Sequence, residues 1–235
     1  MPTYFITGTS RGIGLEYVRQ LSKTPDNTIY ATVRSLSSDH SELKALNTHS
    51  NIHILECEFS SEASIGKLAD AIPAGTQFDY IINNAAIQQS QSQKAFNLGW
   101  DLVLSHVTSN ALGPAKVVQT LLPFIKPGGN AVVVNITSGM GSLGLQATGK
   151  IPPHILPYCI SKASLNMLTV HQAFELKGKA IVVCVDPGHV KTQLGGDSAP
   201  LEVDESAGGV LKVVHGLQSS DSGKYLLYDG KELPW

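Results

Sequence analysis

The sequence predicts an α/β fold in which a mostly parallel, seven-stranded sheet is covered by helices on both faces. Short apolar runs rich in β-branched residues alternate along the chain with longer segments of helical periodicity. Several of these runs are apolar on both faces, as buried parallel strands require. The alternation indicates right-handed βαβ crossovers and a doubly wound sheet. The 235 residues fit one domain over 1–235, because no linker or internal repeat divides them.

The individual elements follow from these patterns in chain order. The predicted strands are 3–7, 28–33, 52–56, 79–83, 131–137, 180–185 and 224–228. The predicted helices are 12–21, 39–47, 61–71, 98–122, 157–177 and 204–216. The segments 139–157 and 187–203 are too long for tight connections, and we expect them, with 85–96, to form a substrate pocket.

Composition and charge exclude several classes of function. The net charge is −2 with both signs scattered, so no basic surface for nucleic acid is predicted. No run reaches the roughly 18 apolar residues of a membrane span, and the start lacks the pattern of a signal peptide. The three cysteines, Cys57, Cys159 and Cys184, lack metal-binding spacing and indicate reduced thiols in a cytoplasmic protein. The eight dispersed histidines predict no metal site.

A glycine-rich loop joins the first strand to the first helix. It reads "FITGTSRGIG", with Gly8, Gly12 and Gly14 in the pattern Thr-Gly-x-x-x-Gly-x-Gly. Glycines allow a sharp turn and close approach to a ligand, and the helix N-terminus then offers amides to a pyrophosphate. This placement favours a Rossmann-type dinucleotide site over a merely structural turn.

The end of the second strand indicates which nucleotide is bound. Sites for NAD usually place Asp or Glu there, whereas this strand ends "TVRSLSS" without an acid. Arg34 occupies the position, and Arg11 of the glycine loop would lie beside it. An arginine pair suits a 2′-phosphate and predicts NADP(H), although two solvated surface arginines are the competing interpretation.

The stretch "YCISK" places Tyr158 and Lys162 one helical turn apart on the same face. Such a pair is common in ordinary helices. A phenol beside a fixed ammonium is also an acid suited to proton transfer, because positive charge nearby favours the phenolate. The pair alone leaves both interpretations open.

Further motifs occur at intervals along the chain. They are Asn83-Asn84-Ala85-Ala86 after the fourth strand, Asn110 within a helix, Ser138 after the fifth strand, and Pro187–Thr192 after the sixth. With the glycine loop and "YCISK", their order resembles the short-chain dehydrogenase/reductase family over nearly the whole chain. Details such as "NITSGMGS" and "GKYLLYDGKELPW" are similar to its carbonyl-reductase-like branch and to fungal ketoreductases.

The resemblance implies a catalytic set. Tyr158 would be the general acid on a substrate oxygen. Lys162 would tune that phenol and hold the nicotinamide ribose, with the oxidised nicotinamide adding positive charge. Ser138 would polarise the carbonyl, and Asn110 would carry an ordered water to Lys162.

The resemblance also implies the cofactor contacts. The residues expected to bind NADP(H) are Gly8, Ser10, Arg11, Gly12, Ile13, Gly14, Arg34, Glu58, Phe59, Asn84, Ala85, Tyr158, Lys162, Pro187, Gly188, Val190 and Thr192. Three positions depart from the family pattern. Ala86 replaces a glycine, Glu58 replaces an aspartate expected at the adenine, and His189 stands where tryptophan is common in this branch.

These observations together predict an NADPH-dependent oxidoreductase that reduces a small or medium ketone or aldehyde to an alcohol. Three alternatives stay open: an NADP-binding sensor or scaffold, a cyclase or dehydratase using the same pocket, and an NAD-linked alcohol dehydrogenase. The expected partner is a small-molecule carbonyl substrate. The resemblance implies either a homodimer or homotetramer, formed through the helices predicted at 98–122 and 157–177, or a monomer, as some carbonyl reductases are.

Overall fold

The fold is described by a computed structural model covering residues 1–89, 92–149, 151 and 154–235. Its strands are β1 (Thr3–Ile6), β2 (Thr28–Val33), β3 (Ile52–Glu56), β4 (Tyr80–Asn83), β5 (Ala131–Ile136), β6 (Ala180–Asp186) and β7 (Tyr225–Leu227). They form one seven-stranded sheet in the order β3-β2-β1-β4-β5-β6-β7. Every neighbouring pair is parallel, which confirms the predicted sheet and extends "mostly parallel" to all of these pairs.

Helices connect the strands on both faces of the sheet. They are α1 (Gly12–Leu21), α2 (Ser41–Ala45), α3 (Glu62–Gly66), α4 (Leu68–Ala71), α5 (Trp100–Val107), α6 (Gly113–Leu121), α7 (Leu143–Ala147), α8 (Leu156–Glu175) and α9 (Val203–Gly216). The helix predicted over 61–71 is two short helices that meet at Lys67. The helix predicted over 98–122 contains a π-helical segment, Thr108–Leu112, between α5 and α6.

The core lies in two layers, one on each face of the sheet. On one face, Tyr17 and Val18 of α1 and Val210 of α9 pack against the apolar side chains of the central strands. On the other face, Ile65 of α3 and Val117 of α6 pack against the alternate strand residues. Both faces are therefore buried, which explains why the strands are apolar throughout rather than alternating.

The sheet order places the site. The chain runs outward from β1 to β2 and β3, then crosses back to β4 on the other side of β1. This reversal leaves a crevice at the carboxyl ends of β1 and β4, where ligands bind in doubly wound sheets. The glycine loop after β1 and the Asn84–Ala86 segment after β4 both lie at this edge.

The segment predicted as an irregular loop over 139–157 is more ordered than expected. It contains α7, whose first turn is capped by Ser142, since the Ser142 Oγ accepts from Leu145 N at 3.0 Å. The same hydroxyl donates to the carbonyl of Pro234 at 2.5 Å, and Gly144 N donates to the carbonyl of Trp235 at 2.7 Å. The end of the chain therefore braces α7. Of the three segments predicted to form a pocket, 85–96 and 139–157 contain residues 90, 91, 150, 152 and 153, which lie outside the described residues.

The helices and the metal-ligating side chains of the described residues bear on membrane and metal binding. Each helix among them is too short or too polar to cross a lipid bilayer. The same residues contain no group of three or more His, Cys, Asp or Glu side chains placed to hold a metal ion. Cys57, Cys159 and Cys184 are free thiols.

Candidate active site

Helix α8 is held against the end of β5 by buried polar contacts. Lys162 donates from Nζ to the carbonyl of Ile136 at 2.7 Å. One turn further along α8, Asn166 accepts from the Thr137 hydroxyl at 2.5 Å. These contacts fix the rotation and the register of α8, and they place Tyr158 and Lys162 at the carboxyl edge of the sheet.

Burial dominates the electrostatics of Tyr158 and Lys162. The pKa of Tyr158 is raised above its ordinary value, first by desolvation and next by the carboxylate of Asp186, while a hydrogen bond with Ser138 works in the opposite direction. Desolvation lowers the pKa of Lys162 to about 8, partly offset by the charge of Asp186. The Lys162 ammonium lies 5.7 Å from the centroid of the Tyr158 ring. The predicted lowering of the tyrosine pKa is not seen in the protein alone, because desolvation of the phenol is the larger effect.

Ser138 and Tyr158 come together although 19 residues separate them in the chain. Ser138 directly follows the end of β5 in extended backbone, and its Oγ accepts from Met140 N at 3.3 Å. The same side chain lies close enough to the Tyr158 phenol to act against the rise of its pKa. The intervening segment contains α7 and does not separate the two side chains.

Asn110 lies in the π-helical segment between α5 and α6 and is completely buried. Its Oδ1 accepts from Ile87 N at 2.8 Å, and its Nδ2 donates to Ile87 O at 2.9 Å and to Ser161 Oγ at 2.9 Å. Ser161 in turn donates to the carbonyl of Tyr158 at 2.7 Å. The π turn is the irregularity that lets a helix side chain reach both the β4 loop and α8. Asn110 thus ties the loop after β4 to the helix that carries Tyr158.

The glycine loop has the geometry of a phosphate cradle. Gly8 and Gly12 have φ of +71° and +58°, in the left-handed region that other residues rarely adopt. A Cβ on Gly14 would lie 2.2 Å from the carbonyl oxygen of Gly8. No side chain within the described residues caps the start of α1, whose N-cap residue is Arg11. Backbone amides at an uncapped helix N-terminus fit an anionic pyrophosphate, so these residues fit the implied dinucleotide.

The ends of β1 and β4 are locked together by Thr7. Its Oγ1 accepts from Asn84 N and from Ala85 N, both at 2.9 Å. The Asn84 side chain donates to the carbonyls of Thr7 and Gly8 at 3.0 and 3.2 Å. A Cβ on Gly8 would lie 2.8 Å from the Ala85 Cα, so the two loops are in direct contact. The predicted cofactor residues Asn84 and Ala85 therefore lie against the glycine loop.

Arg34 and Glu58 face each other at the carboxyl ends of β2 and β3. The Arg34 Nε lies 3.2 Å from Glu58 Oε2, and 71% of the Arg34 side chain is exposed. Glu58 also accepts from the backbone N and the hydroxyl of Ser60. Glu58, expected at the adenine, is thus turned toward Arg34. The rest of the Arg34 guanidinium is open to solvent. Phe59 follows it and packs against Gly113, while Ser10 and Arg11 are exposed on the glycine loop.

The loop after β6 lies across from the glycine loop. Gly188 has φ of +82°, and Val190 is buried and forms a bridge with Leu201. The Thr192 Cγ2 would be 3.5 Å from a Cβ on Gly12, so this loop and the glycine loop line the same crevice. His189 is exposed, and its Nε2 lies 2.8 Å from the carbonyl oxygen of Gly195. In this structure His189 therefore closes its own loop.

Two residues of the site carry roles that the sequence did not indicate. Asp186 ends β6 immediately before the Pro-Gly pair and hydrogen-bonds the turn after Ser138. Ser161 connects Asn110 to Tyr158. An ionisable residue closing the apolar strand "AIVVCVD" was a signal for Asp186. No comparable signal marks Ser161, because a serine within a helix is ordinary.

Comparisons with known proteins confirm the family resemblance. Residues 2–201 match the family described as short chain dehydrogenase. An uncharacterized oxidoreductase from Schizosaccharomyces pombe is 30% identical over 251 residues, covering 99% of this chain and 97% of that protein. The structure of an NADPH-bound carbonyl reductase from chicken fatty liver is similar with a TM-score of 0.90 and 32% identity, covering 100% and 99% of the two chains. The carbonyl reductase Sniffer of D. melanogaster is similar with a TM-score of 0.90, 29% identity and complete coverage (100%) of both chains.

Proposed function

The chain belongs to the short-chain dehydrogenase family, and from this premise we propose that it is an NADPH-dependent reductase of ketones or aldehydes. One observation carries the proposal. Ser138, Tyr158 and Lys162 lie together at the same sheet edge as an uncapped, glycine-lined helix N-terminus, with the Lys162 ammonium 5.7 Å from the Tyr158 ring. A proton donor and a dinucleotide cradle at one sheet edge are the two parts that a carbonyl reduction needs.

The cofactor would be held from both sides of the crevice. The amides of Gly12 and Ile13 at the start of α1 would bind the pyrophosphate. Arg34, largely exposed and oriented by Glu58, would bind the 2′-phosphate with Arg11 nearby. Pro187, Gly188, Val190 and Thr192 would enclose the nicotinamide end. When bound, NADPH supplies the hydride for the carbonyl carbon.

Tyr158 supplies the proton in the proposed reaction. Negative charge develops on the substrate oxygen as the carbonyl carbon is reduced, and an acid must be positioned there. Because burial raises its pKa, Tyr158 keeps its proton at neutral pH and is ready to donate it. Ser138 donates a hydrogen bond to the same oxygen and polarises the carbonyl.

Lys162 stabilises what Tyr158 becomes after donation. Its pKa of about 8 leaves it mostly charged at neutral pH, despite its burial. A buried ammonium favours the phenolate that remains once the proton has left. Asn110 supports the arrangement by holding α8 through Ser161.

The relatives support the choice of substrate class and cofactor. The chicken carbonyl reductase is described as NADPH-bound, and the Drosophila relative as a carbonyl reductase. Both similarities extend over the whole chain. We therefore favour NADPH over NADH and a carbonyl over an alcohol as the substrate.

The test has two steps. NADPH and NADH are first titrated against the protein by calorimetry, with NADPH expected to bind more tightly. A panel of ketones, aldehydes and quinones is then assayed for NADPH oxidation and alcohol formation. NADPH binding without turnover across the panel would favour a sensor or scaffold. Product formation that does not require NADPH would favour a cyclase or dehydratase.

We also propose that the chain is one domain that assembles with a second copy of itself in the cytoplasm. Large apolar side chains are exposed on the adjacent helices of one face: Leu104, Leu112, Met167, Val170 and Phe174. A groove of about 1090 Å³ lies beside them, lined by Leu112 and by residues of α3, α6 and the end of α8. Light scattering should give a multiple of the 25.0 kDa chain mass, and Phe174→Glu should give the monomer. A monomeric wild-type protein would remove the assembly from the proposal.

A further inference from the structure

Asp186 is the buried acid closest to the proposed catalytic pair. It is the last residue of β6, and only 9% of it is exposed. Its Oδ2 accepts from Gly139 N at 2.7 Å, and its Oδ1 accepts from Gly188 N at 2.8 Å. One carboxylate therefore joins the turn that follows Ser138 to the loop that begins at Pro187.

Both hydrogen bonds suit an ionised carboxylate. Each oxygen faces a backbone N–H, and an ionised carboxylate is a pure acceptor. An asparagine would place an NH2 donor against one of these N–H groups, whereas a protonated acid would keep a weaker acceptor there. The clamp is therefore strongest while Asp186 is charged, and Asp186→Asn removes one of its two acceptors.

Burial and the surrounding groups act on the Asp186 carboxyl in opposite directions. The pKa of the Asp186 carboxyl is raised by burial, and the two amide hydrogen bonds and Lys162 act in the opposite direction. Asp186 in turn works against the fall in the pKa of Lys162. The ionisable groups facing the carboxylate are Lys162 and Tyr158 on α8, Tyr225 on β7 and Cys184 on β6 itself.

The residue after Ser138 is shaped around this carboxylate. A Cβ on Gly139 would lie 3.1 Å from Asp186 Oδ2, closer than side chains ordinarily pack. The backbone at Gly139 is not in the left-handed region, so space at the carboxylate is what favours glycine there.

We propose that Asp186 is a positioning residue, which fixes the Ser138 turn relative to the 187–192 loop and acts as the counter-charge of Lys162. The inference deepens the proposed carbonyl reduction and rests on it for its catalytic meaning. In that reaction Asp186 would hold the Ser138 hydroxyl, which polarises the carbonyl, at a fixed distance from the 187–192 loop beside the nicotinamide.

The test uses Asp186→Asn and two readouts that need no turnover. The first is the NMR titration of the Lys162 side chain, identified by its loss in Lys162→Met. The wild-type midpoint should lie near pH 8. It should fall in Asp186→Asn, because the carboxylate that works against the lowering of the Lys162 pKa is removed. The second is hydrogen exchange of the Gly139 and Gly188 amides, of which at least one should exchange about tenfold faster.

Asp79→Asn is the matched control. Asp79 also accepts from a backbone N–H, that of Thr3 at 2.8 Å, and pairs with Lys126, but it precedes β4 at the opposite end of the sheet. It should lower stability without changing the Lys162 titration or the exchange at residues 139 and 188.

Activity supplies a third readout. The alkaline limb of the kcat profile should move to lower pH in Asp186→Asn, because Lys162 loses its charge earlier. If Asp186→Asn does not fold, Gly139→Ala is used instead. It keeps the charge of Asp186 and crowds its Oδ2, so only the amide of residue 139 should exchange faster. An unchanged Lys162 titration together with unchanged amide exchange overturns the proposal. An inactive wild-type protein would count against the reductase proposal and leave these two readouts intact.

Discussion

The Lys162 ammonium lies 5.7 Å from the centroid of the Tyr158 ring, and both side chains are buried at the carboxyl edge of the sheet. Lys162 at the same time donates to the carbonyl of Ile136. The ammonium is therefore fixed by β5 and does not move freely with α8. In the proposed reaction, this arrangement would place a fixed positive charge beside the phenol that donates the proton.

The first prediction concerns the phenol itself. Tyr158→Phe removes the acid and keeps the ring, so kcat should fall by about 10²- to 10⁴-fold, the range typical of a lost general acid. NADPH affinity should change little. Steady-state assays and calorimetry measure the two effects separately.

Tyr17→Phe is the control for this change. Tyr17 is a fully buried tyrosine of α1, and the described residues offer its hydroxyl no hydrogen-bond partner. Its substitution should leave kcat within about twofold. Comparable losses in both variants would mean that Tyr158 acts through packing and not through its proton.

A second prediction tests the choice of cofactor. Arg34→Ala removes the exposed guanidinium opposite Glu58. A charge-assisted hydrogen bond contributes about 1.5–3 kcal/mol, so KM for NADPH should rise roughly 10- to 100-fold while KM for NADH stays nearly constant. Arg19→Ala serves as the control, because it removes an arginine of α1 that pairs with Glu16. An unchanged ratio of the two KM values in Arg34→Ala would eliminate the charge argument.

A third prediction concerns Asn110. Asn110→Ala leaves Ile87 N and Ile87 O without the side chain that satisfies both of them. An unsatisfied buried polar group costs about 1–3 kcal/mol, so the free energy of unfolding should fall by roughly 2–4 kcal/mol in urea denaturation.

Asn97→Ala gives the comparison for Asn110. Asn97 is exposed and accepts from Lys94 N, and its loss should cost less than about 0.5 kcal/mol. A similar small effect at Asn110 would show that the π segment holds its shape without this side chain.

A fourth prediction follows from the pKa of Lys162. Its pKa is lowered from 10.5 to about 8 in the folded chain. Between these values the unfolded chain binds the proton and the folded chain does not, so this group makes stability rise with pH, by up to about 1.4 kcal/mol per pH unit. The unfolding free energy of wild type minus that of Lys162→Met should therefore increase from pH 8 to pH 10.

The exposed Lys126 provides the control for that measurement. Lys126 pairs with Asp79 at the surface. The unfolding free energy of wild type minus that of Lys126→Met should not rise with pH over the same window. A flat difference for Lys162→Met would mean that Lys162 stays charged in the folded chain throughout.

The strands and the order of the motifs could be predicted because they depend on local sequence. Buried parallel strands are continuous apolar runs, and the glycines at 8, 12 and 14 mark a turn whatever surrounds it. The bounds predicted for β2 and β3 and for α1 agree with the structure.

What could not be predicted depends on contacts between distant segments. The π turn at Asn110 exists because its side chain bonds Ile87 and Ser161, which lie in other elements. The ion pair of Glu58 with Arg34 and the hydrogen bond of Asp186 to Gly139 likewise join segments that belong to, or follow, different strands. Helix α7 formed in a segment rich in Gly and Pro because Ser142 caps it and the end of the chain braces it.

The central claim is that this chain passes a hydride from NADPH to a carbonyl while Tyr158 protonates the oxygen. The most direct measurement uses NADPH deuterated at the transferable position, incubated with the wild-type protein and the carbonyl panel, with the alcohols analysed by mass spectrometry. The account predicts a deuterated alcohol from at least one carbonyl with wild type and essentially none with Tyr158→Phe. Tight NADPH binding with no deuterium in any alcohol, or equal transfer by Tyr158→Phe, would contradict it.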